Sequence, residues 1–147
     1  MIRAMVPGDA RVVAGLIRTA FAAIDTPLDP APSALRETEQ RIRTHLLTGG
    51  GALYGVEGCV LWAERDGLYV GRLAVLPEHR GQGIAHALLA HAEQMARAMR
   101  QPRIHLEVRL ALAGNRRLFA RAGFVETVRR AHPGYGHPTF VEAEKRL

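Results

Sequence analysis

The strongest chemical feature of the sequence is the run Arg80-Gly81-Gln82-Gly83-Ile84-Ala85. An apolar run, Leu73-Ala74-Val75-Leu76, and a turn, Pro77-Glu78-His79, lead into it. A long amphipathic stretch follows it. The start of a helix carries unpaired N–H groups and the positive end of the helix dipole. Glycines just before that start let a phosphate approach the backbone closely. The spacing therefore predicts a seat for a pyrophosphate, with Arg80 adding a charge-assisted contact. Two spaced glycines also describe an ordinary turn before a core helix. The strand in front, the helix behind and the arginine at the entrance favour phosphate. A P-loop needs Gly-Lys-Ser/Thr at the helix start, and Gly83 is followed by Ile84-Ala85. A Rossmann fingerprint needs a third glycine, where His86 stands, and 147 residues leave little room for its two half-domains.

The charge distribution also calls for an anionic partner. The net charge is +6, and nine arginines between Arg97 and Arg130 face only Glu107 and Glu126. Nucleic acid, a phosphorylated cofactor, a membrane surface or plain solvation each accounts for such an excess. RNA is poorly served, because aromatics are only 5% of the residues and no RNP-like run exists to stack bases. Apolar residues at 48% and charged residues at 23% describe a globular domain, read as one unit over residues 1–147. A chain of this size buries roughly 70% of its unfolded surface. Cys59 is alone, so neither an intramolecular disulfide nor a cysteine zinc site is available. No apolar run is long enough to cross a bilayer, and the first residues lack a signal-peptide core. The expected location is the cytoplasm.

Seven short strands and four helices account for the pattern. Ile2 to Val6 reads as a strand, and Asp9 as the cap of a helix carrying Val12, Val13, Leu16, Ile17, Ala20, Phe21 and Ile24. Ser33 is the expected cap of a second helix with Leu35, Ile42 and Leu46, ended by Gly49-Gly50-Gly51. Ala52 to Val56, Cys59 to Glu64 and Leu68 to Leu76 read as strands, the last two joined at Asp66-Gly67. Ile84, Leu88, Ala92, Met95 and Met99 mark the long helix. Ile104, Leu106 and Val108 alternate with polar residues, a strand pattern. A short helix, Asn115 to Ala122, precedes strands at Phe124 to Val128 and Thr139 to Ala143. The order implies an α/β (α+β) fold in which helices cover a mixed sheet.

These residues resemble the GNAT N-acetyltransferase superfamily. Its signature, Arg or Gln, two residues, Gly, one residue, then Gly or Ala, is matched by Arg80 to Ala85. The strand end Leu73 to Glu78 and the later segment from Asn115 through Leu118-Phe119 to Gly123-Phe124 carry the likeness further. The resemblance implies a central, mixed, mostly antiparallel sheet of about seven strands flanked by helices on both faces. It also implies acetyl-CoA as co-substrate and direct transfer of the acetyl group to a primary amine. The acceptor, small molecule or peptide, stays open, as does the choice between monomer and homodimer. Nucleic acid, membrane and metal are not expected as partners. A non-catalytic acyl-CoA-binding or regulatory module on the same fold is the competing reading.

Several roles follow from the resemblance. Leu73, Ala74 and Val75 would pair with the pantetheine arm, the Val75 amide lying near the thioester oxygen. The N–H groups of Gly81, Gln82, Gly83, Ile84 and Ala85 would hold the pyrophosphate. Asn115 would contact the pantetheine, or merely cap its helix, because the family's asparagine more often falls where Leu112 stands. Phe119 occupies the position of a tyrosine that protonates the leaving thiolate, so Tyr135 becomes the phenol to test. An alkyl ammonium with a pKa near 10.4 must lose a proton before it attacks. Glu107 is the candidate base, with His105 on the same strand face. Arg72 interrupts an apolar strand and is read as an acceptor-side residue suited to an anionic group. His132 and His137 offer only two ligands, too few for a metal site.

Overall fold

A computed structural model describes residues Met1–Leu147. Seven strands form one sheet: β1 Ile2–Ala4, β2 Gly50–Tyr54, β3 Gly58–Glu64, β4 Leu68–Val75, β5 Arg103–Arg109, β6 Val125–Arg130 and β7 Phe140–Arg146. Their order is β1-β2-β3-β4-β5-β7-β6. All neighbours are antiparallel except β4 and β5, which run parallel. The helices are α1 Ala10–Ala22, α2 Glu39–Leu46, α3 Ile84–Ala98 and α4 Ala113–Arg121.

Two cores hold the helices to opposite faces. On one face Val60, Trp62, Leu68, Val70 and Ile104 of the sheet pack with Leu88 of α3 and Phe119 of α4. On the other face Leu53, Cys59 and Leu61 of the sheet pack with Val13 and Ile17 of α1 and Ile42 of α2. This explains the unbroken apolar run Cys59-Val60-Leu61-Trp62: alternate side chains enter alternate cores. Cys59 is a packing residue, and burial pushes its thiol up to about 12, which leaves it unreactive. On β5, Ile104, Leu106 and Val108 are buried in the α3 core. His105, Glu107 and Arg109 therefore project from the other face.

Two features of β4 shape the site. First, it pairs with β5 only at Leu68↔Ile104 and Tyr69↔His105. Beyond Tyr69 the two strands part, and the rest of β4 has β3 on one side only. Second, β4 bulges: Cys59 faces Ala74 and Leu61 faces Gly71, so Val60 is opposed by both Arg72 and Leu73. Arg72 takes a left-handed backbone, φ 51°, which costs a non-glycine residue about 1 kcal/mol.

Three local expectations are corrected. Asp9 sits at the N-cap of α1 but does not cap it; its carboxylate accepts from the Val6 N–H at 2.8 Å and from both ends of the Arg3 fork. Ser33 does not start α2. It opens a short 3-10 turn, Ser33–Arg36, and Thr38 caps α2 by accepting from the Arg41 N–H at 3.1 Å. Gly50 and Gly51 belong to β2 rather than to a helix stop. A Cβ on Gly50 would lie 2.5 Å from the Trp62 indole nitrogen, and one on Gly51 2.7 Å from the Met5 sulfur. Close approach of neighbouring side chains, not a turn, demands glycine there.

Candidate active site

The glycine loop lies between β4 and α3. Gly81 and Gly83 have φ of 77° and 80°, and a Cβ on either would meet nothing within 4 Å. Their backbones thus face open space. Gly83 is the N-cap of α3 and has no side chain with which to satisfy the first-turn N–H groups. Arg80 donates to the Ala20 carbonyl at 3.1 Å, which ties the loop to the last turns of α1.

A cavity of about 740 Å³ opens over this loop. Leu73, Ala74 and Val75 line it from β4, Arg80, Gly81, Gly83, Ile84 and Ala85 from the loop, and Asn115 and Phe119 from α4. Gln82 is exposed and its side chain is not part of the lining. Asn115 lies inside α4, whose N-cap is Leu112, so the cap alternative for Asn115 is corrected. Phe119 is buried edge-on against Phe124, with ring centroids 6.1 Å apart. The Leu76 N–H donates to the Glu57 carbonyl at 2.8 Å across β3 and β4. Backbone donors alternate along a strand, so the Val75 N–H turns the other way, into the fork between β4 and β5.

A second cavity, of about 830 Å³, lies on the α1 and α2 side. Phe21 and Leu112 line both cavities and mark where they meet. Glu107 and Arg72 line this one, as their strand positions predict. His105 does not; its Nε2 lies 2.5 Å from the Arg65 carbonyl and its ring packs edge-on to Tyr69. Burial holds the His105 pKa below the ordinary histidine value. Tyr135 lines neither cavity. Its hydroxyl donates to Asp29, and that hydrogen bond raises its pKa first of all causes. Glu107 and Arg72 thus line one cavity, and His105 and Tyr135 do not line it.

Two residues here went unread in the sequence. Glu37 is the one buried charged side chain, 6% exposed. Its Oε2 accepts from Arg72 Nε at 3.0 Å, while Arg72 also donates to Ser33 Oγ at 3.1 Å. Removing one partner of such a pair strands a charge, so this contact anchors the β4 bulge to the segment before α2. Tyr69 lies on β4 under the Arg65 guanidinium, 3.9 Å from ring centroid to carbon. Burial, then the Glu107 charge, raises its pKa, which keeps it a protonated hydrogen-bond donor.

The excess of arginines has a different destination from the one its clustering suggests. Within the window from Arg97 to Arg130, Arg97, Arg103, Arg116 and Arg130 are paired with Glu93, Glu144, Glu126 and Glu142. Only Arg121 of that window lines the loop cavity, and only Arg109 the second one. No helix is long and apolar enough to cross a membrane.

Comparison with known proteins matches this architecture. The model of the acetyltransferase (GNAT) family matches residues 21–124. A GCN5-related N-acetyltransferase structure from Rhodopseudomonas palustris is 19% identical, with a TM-score of 0.79 over 100% of this chain and 95% of that one. The ribosomal-protein-S18-alanine N-acetyltransferase of Escherichia coli is 18% identical, TM-score 0.76, over 99% and 92%. The yncA protein of Salmonella typhimurium, solved with its cofactor acetyl-CoA, is 16% identical, TM-score 0.76, over 100% and 93%. No curated protein matches by sequence. With the family model spanning the strand fork, the glycine loop and α4, the chain belongs to the GNAT acetyltransferase family and is an acyltransferase.

Proposed function

We propose that the protein transfers an acetyl group from acetyl-CoA directly to a primary amine. One observation carries this reading: the loop cavity and the second cavity meet at Phe21 and Leu112. A thioester held in the first lies beside an amine held in the second. The loop cavity fits the coenzyme because its glycines leave backbone donors open to a pyrophosphate, and because β4 offers a free edge to an extended pantetheine.

The chemistry needs two things from the chain. Glu107 takes the proton from the ammonium, since only the neutral amine attacks. The Val75 N–H donates to the thioester oxygen as charge develops there, a contribution of a few kcal/mol. The amine nitrogen then bonds to the carbonyl carbon, the C–S bond breaks with its electron pair leaving on the coenzyme sulfur, and the nitrogen loses its second proton to solvent to give the neutral amide. Phe119 has no proton to give. A thiol with a pKa near 8.5 leaves adequately as thiolate, so no phenol is required.

The test mixes the protein with acetyl-CoA and a panel of primary amines, and measures free thiol together with the acetylated amine by mass spectrometry. Thiol release matched by acetylated amine is the expected result. Coenzyme binding without any amine-dependent thiol release would instead mark a non-catalytic binding module.

A further inference from the structure

The second cavity is distinguished by its charge. Arg36, Arg41, Arg65, Arg72 and Arg109 line it, against Glu37 and Glu107. The loop cavity, which would take the phosphates, has only Arg80 and Arg121. Within the second cavity Arg72 is neutralised by Glu37 at 3.0 Å, and Arg65 is stacked on Tyr69. Arg36, Arg41 and Arg109 pair with no carboxylate. Glu107 is also free of any arginine or lysine partner.

Arg109 matters most, because it is half-buried and follows Glu107 by two positions on one face of β5. That spacing puts a cation and a carboxylate about 7 Å apart along the strand. Burial works against the Arg109 charge, and the nearby Tyr135 and Asp29 offset that only in part. An incoming anion would compensate it, and the guanidinium fork suits a planar or tetrahedral oxyanion.

Resting on the acetyl-transfer reading above, we infer that the acceptor is a small amine that also carries an oxyanion, a carboxylate or a phosphate. The oxyanion sits on Arg109, with Arg36 and Arg41 adding positive potential from the α2 side, and the amine sits at Glu107. The transfer leaves the oxyanion unchanged: nitrogen gains the acetyl carbon, sulfur takes the electron pair, and the two protons that the ammonium nitrogen gives up pass to solvent, the first of them through Glu107. A polycationic amine is disfavoured by the same arginines.

The experiment reads melting temperature, with the protein loaded with coenzyme A. The probes are the amino acids and phosphoethanolamine, their neutral mates (amino-acid amides and ethanolamine), and spermidine. At least one oxyanion-bearing amine raises the melting temperature by about 3 °C or more at roughly ten times its Kd, and its neutral mate does not. Which mate pair responds separates carboxylate from phosphate. Arg109→Gln removes that shift and keeps the shift produced by coenzyme A itself, which also reports that the variant is folded. Arg41→Gln, on the exposed face of α2, weakens it less. The proposal is overturned if no oxyanion-bearing amine outperforms its neutral mate, or if spermidine alone responds. Failure of coenzyme A to shift the native protein would overturn the acetyl-transfer reading instead.

Discussion

A Gly83→Trp variant binds acetyl-CoA at least about 100-fold more weakly than the native protein and stays folded. The fold survives because the site for the new side chain is open: a Cβ on Gly83 meets no heavy atom within 4 Å. The left-handed φ of 80° imposes a backbone cost of about 1 kcal/mol. The buried face of α3, Ile84, Leu88, Leu89, Ala92 and Ala96, is untouched. The coenzyme loses more. The indole fills the space into which the N–H groups of Gly81 to Ala85 point, and charged hydrogen bonds of about 1.5–3 kcal/mol each are lost. A hundredfold corresponds to about 2.7 kcal/mol, so losing two such contacts suffices. Calorimetric titration measures the affinity and circular dichroism the fold. Native affinity in a folded variant would refute the assignment of the loop as the pyrophosphate seat.

Glu107→Gln lowers kcat/KM for the acceptor about 100-fold at neutral pH, within the ordinary range for a lost general base. The side chain is exposed on the cavity wall, so the fold is retained. It does not line the loop cavity, so acetyl-CoA affinity is unchanged. The signature lies in the pH profile. Without a base, the rate depends on the fraction of amine already neutral, which rises tenfold per pH unit below an amine pKa near 10.4. The gap between variant and native protein therefore narrows by about tenfold per pH unit, so a loss of about 100-fold at pH 7 closes at about pH 9. A constant ratio at all pH values, or no loss at all, would remove Glu107 from the proton-transfer role.

The parts of the site legible in the sequence are those fixed by local periodicity and local backbone demand. The apolar run of β4, the two glycines at positive φ and the apolar stripe of α3 follow one another along the chain, and each constrains its neighbours. Nearly all the residues read as coenzyme contacts line one cavity for that reason. What the sequence hid is non-local. Arg72 and Glu37 are 35 positions apart, and nothing near Glu37 signals burial when the segment is read as one long helix from Ser33. The β4 bulge exists because β3 supplies one residue where β4 supplies two, a count made only once the strands pair. The arginine cluster misled for a related reason. Spacing along the chain said nothing of Glu93, Glu126, Glu142 and Glu144, which approach four of those arginines in space. The cations that line the second cavity come mostly from Arg36, Arg41, Arg65 and Arg72, outside the cluster.

A coenzyme thioester and an amine are proposed to meet at the fork between β4 and β5. A crystal structure of the protein with acetyl-CoA tests it most directly. The expected result is the pyrophosphate within hydrogen-bonding distance of the Gly81 to Ala85 backbone N–H groups, and the thioester oxygen on the Val75 N–H beside Phe21 and Leu112. A pyrophosphate bound instead among Arg36, Arg41 and Arg109 would contradict it, because the cavity assigned to the acceptor would then belong to the coenzyme.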